Sequence, residues 1–171
     1  MNSSLNQGRE STMPVYRISI EELRMDMHEC PGAFVSCIDP RFLSADYKFA
    51  RHSLWPGQDF DHIKLPGAGI NFLKNPNRDM LIAVIRDVCM KLHHIKDLAV
   101  VNHWDCGAYG YSRNFASAEA EEKRHVTDLA IVHAILQKEF PELKIIVGYS
   151  KLMPHGLEYH LLQDIDLEKV A

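Results

Sequence analysis

His103 and Cys106 stand three positions apart where an apolar run, Leu98-Ala-Val-Val-Asn102, gives out, and Gly107 and Gly110 follow them. The β-branched run reads as a buried strand. A histidine and a cysteine at that spacing on a strand-to-loop corner can turn an imidazole nitrogen and a thiolate toward one ion. Zinc favours such a mixture of nitrogen and sulfur donors. Two donors do not make a site, and a third lies at a similar corner. Residues 33–38, Ala-Phe-Val-Ser-Cys-Ile, read as an earlier strand that runs into Asp39-Pro40-Arg41. Pro40 has no amide hydrogen to continue a ladder, so Cys37 also lies near a strand end.

Two neighbouring parallel strands would bring both ends to the carboxyl edge of one sheet, the usual place for α/β active sites. Cys37, His103 and Cys106 then converge as two thiolates and one imidazole, leaving a fourth zinc position to Asp39 or to water. The bland reading makes Cys37 a core residue, His103 and Cys106 an isolated pair, and Asp39–Arg41 a surface ion pair worth under about 1 kcal/mol. It needs several coincidences of spacing that one zinc site explains together. A cysteine phosphatase fits poorly, because Cys37 to Arg41 spans too few residues for a phosphate-cradling loop.

The elements that must position these residues follow from the apolar periodicity. A polar stretch, residues 1–14, reads as a flexible tail, and residues 15–171 as a single zinc-binding domain. A short amphipathic helix over 19–27, with Ser19 as cap and Ile20, Leu23 and Met27 on one face, stops before Cys30-Pro31-Gly32. Cys30 has no partner at metal spacing and reads as a small, half-buried residue. A second short helix fits residues 45–52, and residues 60–65 alternate as a strand. The small-residue loop Pro66-Gly67-Ala68-Gly69 lets backbone approach closely at that strand's end.

Asn75 as cap and Pro76 at the first position open a helix whose stripe is Leu81, Ile85, Val88 and Leu92, with Cys89 packed beside it. His93 and His94 close that helix, where the dipole favours imidazolium, so neither needs a ligand role. A long helix over 117–139 has an acidic start and a stripe of Val126, Leu129, His133 and Leu136, with His125 on its solvated face. Strands at 144–148 and around 157–161 complete the chain. Strands alternating with helices give an α/β fold, a central, mainly parallel sheet of four to five strands flanked by helices.

Composition bounds the partners. Of 171 residues 46% are hydrophobic and 25% charged, ordinary proportions for a soluble globular chain. A net charge of −4 without a basic cluster argues against nucleic acid, and no apolar run reaches membrane-spanning length. The polar start lacks a signal peptide's apolar core, so a cytoplasmic location is expected. In that compartment the four cysteines suit metal binding or burial better than disulfides.

With Cys37-Ile-Asp39-Pro-Arg41 and His103-Trp-Asp-Cys106-Gly107 in hand, residues 18–165 resemble the β-class carbonic anhydrase family. Its signatures are Cys-x-Asp-Ser-Arg and His-x-x-Cys-Gly. The resemblance implies zinc held by Cys37, His103 and Cys106, an Asp39–Arg41 pair, and a homodimer with active sites near the subunit interface. It implies a small-molecule substrate and reversible hydration of carbon dioxide to bicarbonate by a zinc-bound hydroxide. Asp39 would accept that hydroxide's hydrogen bond, and Arg41 would hold Asp39 ionised through a two-pronged contact that lysine lacks. In the family the aspartate can instead bind zinc and close the site.

Two departures concern the pocket wall. Pro40 replaces the signature serine, and Pro66-Gly67-Ala68-Gly69-Ile70 stands where the family has Arg-Asn-Ala-Gly-Asn. Ala68, Gly69 and Gly107 are expected to leave space for substrate, with Tyr109 and Tyr111 at the mouth. The departures keep two alternatives open. One is a hydrolase of carbonyl sulfide or carbon disulfide on the same zinc, and the other is a non-catalytic zinc-binding relative. Ten histidines leave the proton relay unassigned.

Overall fold

All five residues of Gly32–Ser36 (β1) are buried, and so are six of the seven in Asp97–His103 (β3). Strands covered on both faces read as near-continuous apolar runs, which is how both segments look in sequence. The computed structural model of the chain describes residues 28–162. The expected tail over 1–14 and the helix over 19–27 lie outside the described residues. With Asp61–Lys64 (β2), Lys144–Met153 (β4) and Gly156–Leu161 (β5), the strands form one sheet in the order β2-β1-β3-β4-β5. The β1–β2, β1–β3 and β3–β4 pairings are parallel, and only β5 runs antiparallel. The fold is therefore the α/β class expected, with five strands among the described residues.

Among the described residues three α-helices cover the sheet: Leu43–Phe49 (α1), Asn77–Val84 (α2) and Ala118–Glu139 (α3). Side chains alternate across a strand, so β1 and β3 feed two cores. Ala33, Val35, Leu98 and Val100 pack with Leu81 and Ile85 near α2 and with Leu129 and Val132 of α3. Phe34, Ala99 and Val101 meet Ala50 and Trp55, just beyond α1, on the other face. Trp55 lies so close over Gly32 that a Cβ there would come within 2.1 Å of its ring, and its indole N–H donates to Asp97 Oδ2 at 2.9 Å.

The helices depart from the expected periodicity at identifiable places. No side chain caps α2, so Asn75 does not have the capping role expected of it. The amides of Arg78 and Met80 instead bond to the carbonyls of Lys74 and Pro76. Beyond Val84 the helix widens into a π-helical turn, Ile85–Met90. That wider turn rotates the register, leaving Val88 and Leu92 exposed while Cys89 is buried. Similarly, α1 continues as a π-helical turn over Ala50–Leu54.

In α3 the cap is Ser117, whose hydroxyl accepts from the Ala120 amide at 3.2 Å. Its buried face runs through Glu121, His125, Asp128, Leu129, Val132 and Leu136. His125 is fully buried, a correction to its assignment to the solvated face, while Val126 and His133 are half-buried. The polar members of that face contact the loop after β3, which is why apolar periodicity missed them. No helix among the described residues is long and apolar enough to cross a membrane.

Strand order fixes where a site can form. The chain leaves β1 toward β2 on one side, and β3 leads to β4 on the other. The loops after β1 and β3 therefore diverge and open a crevice at their carboxyl ends, as at the switch point of any open α/β sheet.

Candidate metal centre

Cys37 follows β1 by one residue, His103 ends β3, and Cys106 lies three residues further on. All three are at most 5% exposed. The side-by-side pairing of β1 and β3, with Ser36 opposite Val101, brings the two strand ends together. Cys37 Sγ and Cys106 Sγ are 3.8 Å apart, and with a His103 ring nitrogen all three donor atoms lie within 4.8 Å of one another. This group could hold a metal ion. All four cysteines are free thiols.

The imidazole is set in one tautomer. His103 Nδ1 lies 2.7 Å from the carbonyl of Trp104, which can only accept, so Nδ1 carries the hydrogen. Nε2 is then a bare lone pair, buried and without a hydrogen-bond partner among the described residues. The ring is held against Phe42, with centroids 4.1 Å apart. A histidine whose second nitrogen is pinned by a backbone carbonyl is the usual outer support of a metal ligand.

The thiols are electrostatically unequal. A hydrogen bond from Cys106 and another from the Gly67 amide, at 3.3 Å, pull the Cys37 thiol well below the usual range. The negative Cys37 sulfur beside it and its own burial push Cys106 up. Amides of Ala108 and Tyr109 partly offset that rise. Gly67 has φ +78°, and a Cβ there would fall 2.6 Å from Ala108 Cβ, so glycine is required for the amide to reach the sulfur.

Asp39 and Arg41 form the expected pair. Pro40 opens a short 3₁₀ turn, Pro40–Phe42, and Asp39 Oδ1 caps it by accepting from the Arg41 amide at 3.0 Å. Arg41 Nε donates to Oδ1 and Oδ2, both at 3.1 Å, and Nη2 donates to Oδ2 at 2.7 Å. The guanidinium holds the Asp39 carboxyl below the usual carboxylate range. Asp39 Oδ2 is 3.9 Å from His103 Nε2, at the edge of the cluster.

Sequence reasoning missed Asp105. It lies in the second motif with φ +55°, and Arg41 donates from Nη1 to its Oδ2 at 3.0 Å and from Nη2 to its carbonyl at 3.1 Å. The buried Glu121 accepts from the Asp105 amide at 2.8 Å, and the Ser112 amide donates to Oδ1 at 3.2 Å. Its motif position, two residues after His103, was the one available signal. Behind the cluster, Asn102 donates to the Tyr109 hydroxyl at 3.0 Å and accepts from the Gly69 amide at 2.9 Å.

A cleft of about 280 Å³ opens over the two sulfurs. Ile38, Asp39, Pro40, Pro66, Gly67, Ala108 and Tyr111 line it, together with Gly107 as expected. Ala68 and Gly69 do not line it, contrary to expectation. The left-handed Gly67 starts the turn Ala68–Phe72, which directs both residues into the interior. Tyr111 stands at the mouth, whereas Tyr109 turns inward to Asn102.

No family model matches the chain. An uncharacterized protein of Rickettsia bellii is 28% identical over 151 residues, covering 84% of this chain and 91% of that protein. Another, from Rickettsia conorii, is 27% identical over 141 residues, 80% of this chain and 73% of its own length. Among solved structures, a carbonic anhydrase from Glaciozyma antarctica superposes with a TM-score of 0.45 at 17% identity, over 75% of this chain and 80% of that one.

Proposed function

We propose that the chain is a zinc enzyme that reversibly hydrates carbon dioxide to bicarbonate in the cleft over Cys37 and Cys106. The observation that carries this reading is the spacing of the sulfurs beside a bare imidazole nitrogen. Two sulfurs about 2.3 Å from one tetrahedral zinc stand about 3.8 Å apart, and Cys37 Sγ and Cys106 Sγ are 3.8 Å apart. His103 Nε2 supplies the third donor with its lone pair free. Zinc held by Cys37, His103 and Cys106 would supply hydroxide at neutral pH, because such sites lower the pKa of coordinated water to about 7.

The chain's own residues do the rest. Arg41 keeps Asp39 ionised and turned to the edge of the cluster. Asp39 Oδ2, at the edge of the cluster, would accept a hydrogen bond from the attacking oxygen and aim its lone pair at the substrate carbon. Because both forks of Arg41 are engaged, Asp39 is held in the arginine pair, which would keep it off a metal held by Cys37, His103 and Cys106. Ile38, Pro66 and Ala108 give the cleft apolar walls that suit a small, uncharged linear molecule. Net hydration consumes one water and releases one proton with the bicarbonate.

Those same walls favour a second reading, hydrolysis of carbonyl sulfide or carbon disulfide, since Pro40 and Pro66 take the places of polar residues in the family pattern. Stopped-flow carbon dioxide hydration by the zinc-loaded protein, run beside a carbonyl sulfide assay, tests both. Rapid hydration supports the first reading, and turnover of the sulfur compound alone supports the second. Stoichiometric zinc without either activity leaves a non-catalytic zinc protein.

A further inference from the structure

At the opposite edge of the sheet the fold assembles a second donor set. Cys30 lies two residues before β1, Asp61 opens β2, and His93 follows the end of the π-helical turn after α2. Their positions are unrelated in sequence, and topology alone joins them. β1 and β2 pair with Ala33 opposite Asp61, and the Cys30 amide donates to the His93 carbonyl at 3.0 Å. His93 Nδ1 sits 2.8 Å from Asp61 Oδ1 and 3.0 Å from Oδ2. A sulfur, a ring nitrogen and a carboxylate oxygen all lie within 4.8 Å of one another.

We infer that Cys30, Asp61 and His93 form a second metal site, selective for zinc by its mixture of sulfur, nitrogen and oxygen donors. A cleft of about 220 Å³ borders all three, leaving room for a fourth ligand from water or from His28, which also lines it. Glu29 lines the same cleft and favours a cation, as does Asp59 to the extent that its pairing with Arg51 leaves charge uncancelled. The Cys30 thiol is turned toward the His93–Asp61 pair while donating to the Gly32 carbonyl at 3.6 Å, and the cleft leaves one face of the group open. The seven positions from Cys30 to Cys37 span about 23 Å of extended chain, so the two sites load independently. Metal at this site would clamp the starts of β1 and β2 to the turn that follows the π-helical segment Ile85–Met90.

Equilibrium dialysis of the full chain against zinc, followed by metal analysis, tests this. Two equivalents are expected for the wild type, and one each for Cys30→Ser and Cys37→Ser. The Cys37→Ser protein should also give a thiolate-to-cobalt charge-transfer band when loaded with cobalt, and should melt at higher temperature with zinc than with chelator. His93→Gln, which keeps every thiol, should lose the second equivalent while retaining the first. A single equivalent that Cys37→Ser abolishes and Cys30→Ser leaves intact overturns the inference. A single equivalent with the reverse pattern upholds it and overturns the assignment at Cys37.

Discussion

Arg41 and Asp105 join the two halves of the candidate centre: Nη1 donates to the Asp105 carboxylate at 3.0 Å and Nη2 to its carbonyl at 3.1 Å. The loop after β1 is thereby fastened to the loop after β3 by the same guanidinium that orients Asp39. Asp105→Ala should free one fork of Arg41 and let the Asp39–Arg41 pair move. We expect kcat to fall about tenfold to a hundredfold, the usual cost of losing an outer support, with zinc content unchanged. Wild-type kcat in a zinc-replete Asp105→Ala protein would remove Asp105 from the positioning of Asp39.

Asp39→Asn keeps the shape of the side chain but weakens it as an acceptor and cancels its charge against Arg41. Zinc should stay at wild-type occupancy, because Cys37, His103 and Cys106 are untouched, while kcat/KM falls by about a hundredfold or more. Arg41→Lys should fall in the same direction by a smaller factor, since lysine offers one point charge where the fork makes several bonds. Full turnover by zinc-loaded Asp39→Asn would contradict the proposed mechanism.

Gly67→Ala tests the amide that reaches Cys37. The left-handed φ and the 2.6 Å approach to Ala108 Cβ force the loop to shift, at a cost of about 1–3 kcal/mol. The shift withdraws the Gly67 N–H from the Cys37 sulfur. Zinc affinity measured by chelator competition should drop about tenfold or more. Unchanged affinity would show that this hydrogen bond does not support the thiolate.

Two histidines make stability depend on pH. Burial pushes His125 down to about 4 and, with the charge of Lys64, His62 down to about 4. An unfolded imidazole titrates near 6.5, so between about pH 6.5 and 4 the unfolded chain binds more protons than the folded one. Stability is therefore complete above about pH 6.5 and falls as pH drops through that window. The fully buried His125 alone costs about 2 kcal/mol between pH 7 and pH 5, and half-buried His62 adds a smaller amount. Urea melts of the chelator-treated protein should show this loss, reduced in His125→Gln. Equal stability at both pH values would contradict burial of neutral imidazoles.

The sheet and the first donor set were legible because they depend on local signals. The β-branched run before His103, the Pro40 stop after Cys37 and the Ser117 cap of α3 each mark one element in sequence. What escaped depends on contacts across the chain. Asp105 takes its role from Arg41, 64 positions away, and His125 is buried because α3 turns a polar face to the loop after β3. The exposure of Val88 and Leu92 follows from a π-helical turn that a fixed 3.6-residue period does not describe. Pocket lining was misassigned by a residue or two, since the left-handed Gly67 reverses which side of the loop meets the cleft. Cys30, Asp61 and His93 come from three separate elements, so no spacing pattern connects them.

Zinc K-edge X-ray absorption on the Cys30→Ser protein, loaded with one equivalent, tests the central claim most directly because the second donor set is removed. Two sulfurs at about 2.3 Å and nitrogen or oxygen neighbours at about 2.0 Å are expected, matching Cys37, Cys106 and His103. A first shell of nitrogen and oxygen alone would contradict the assignment, and with it the proposed enzyme.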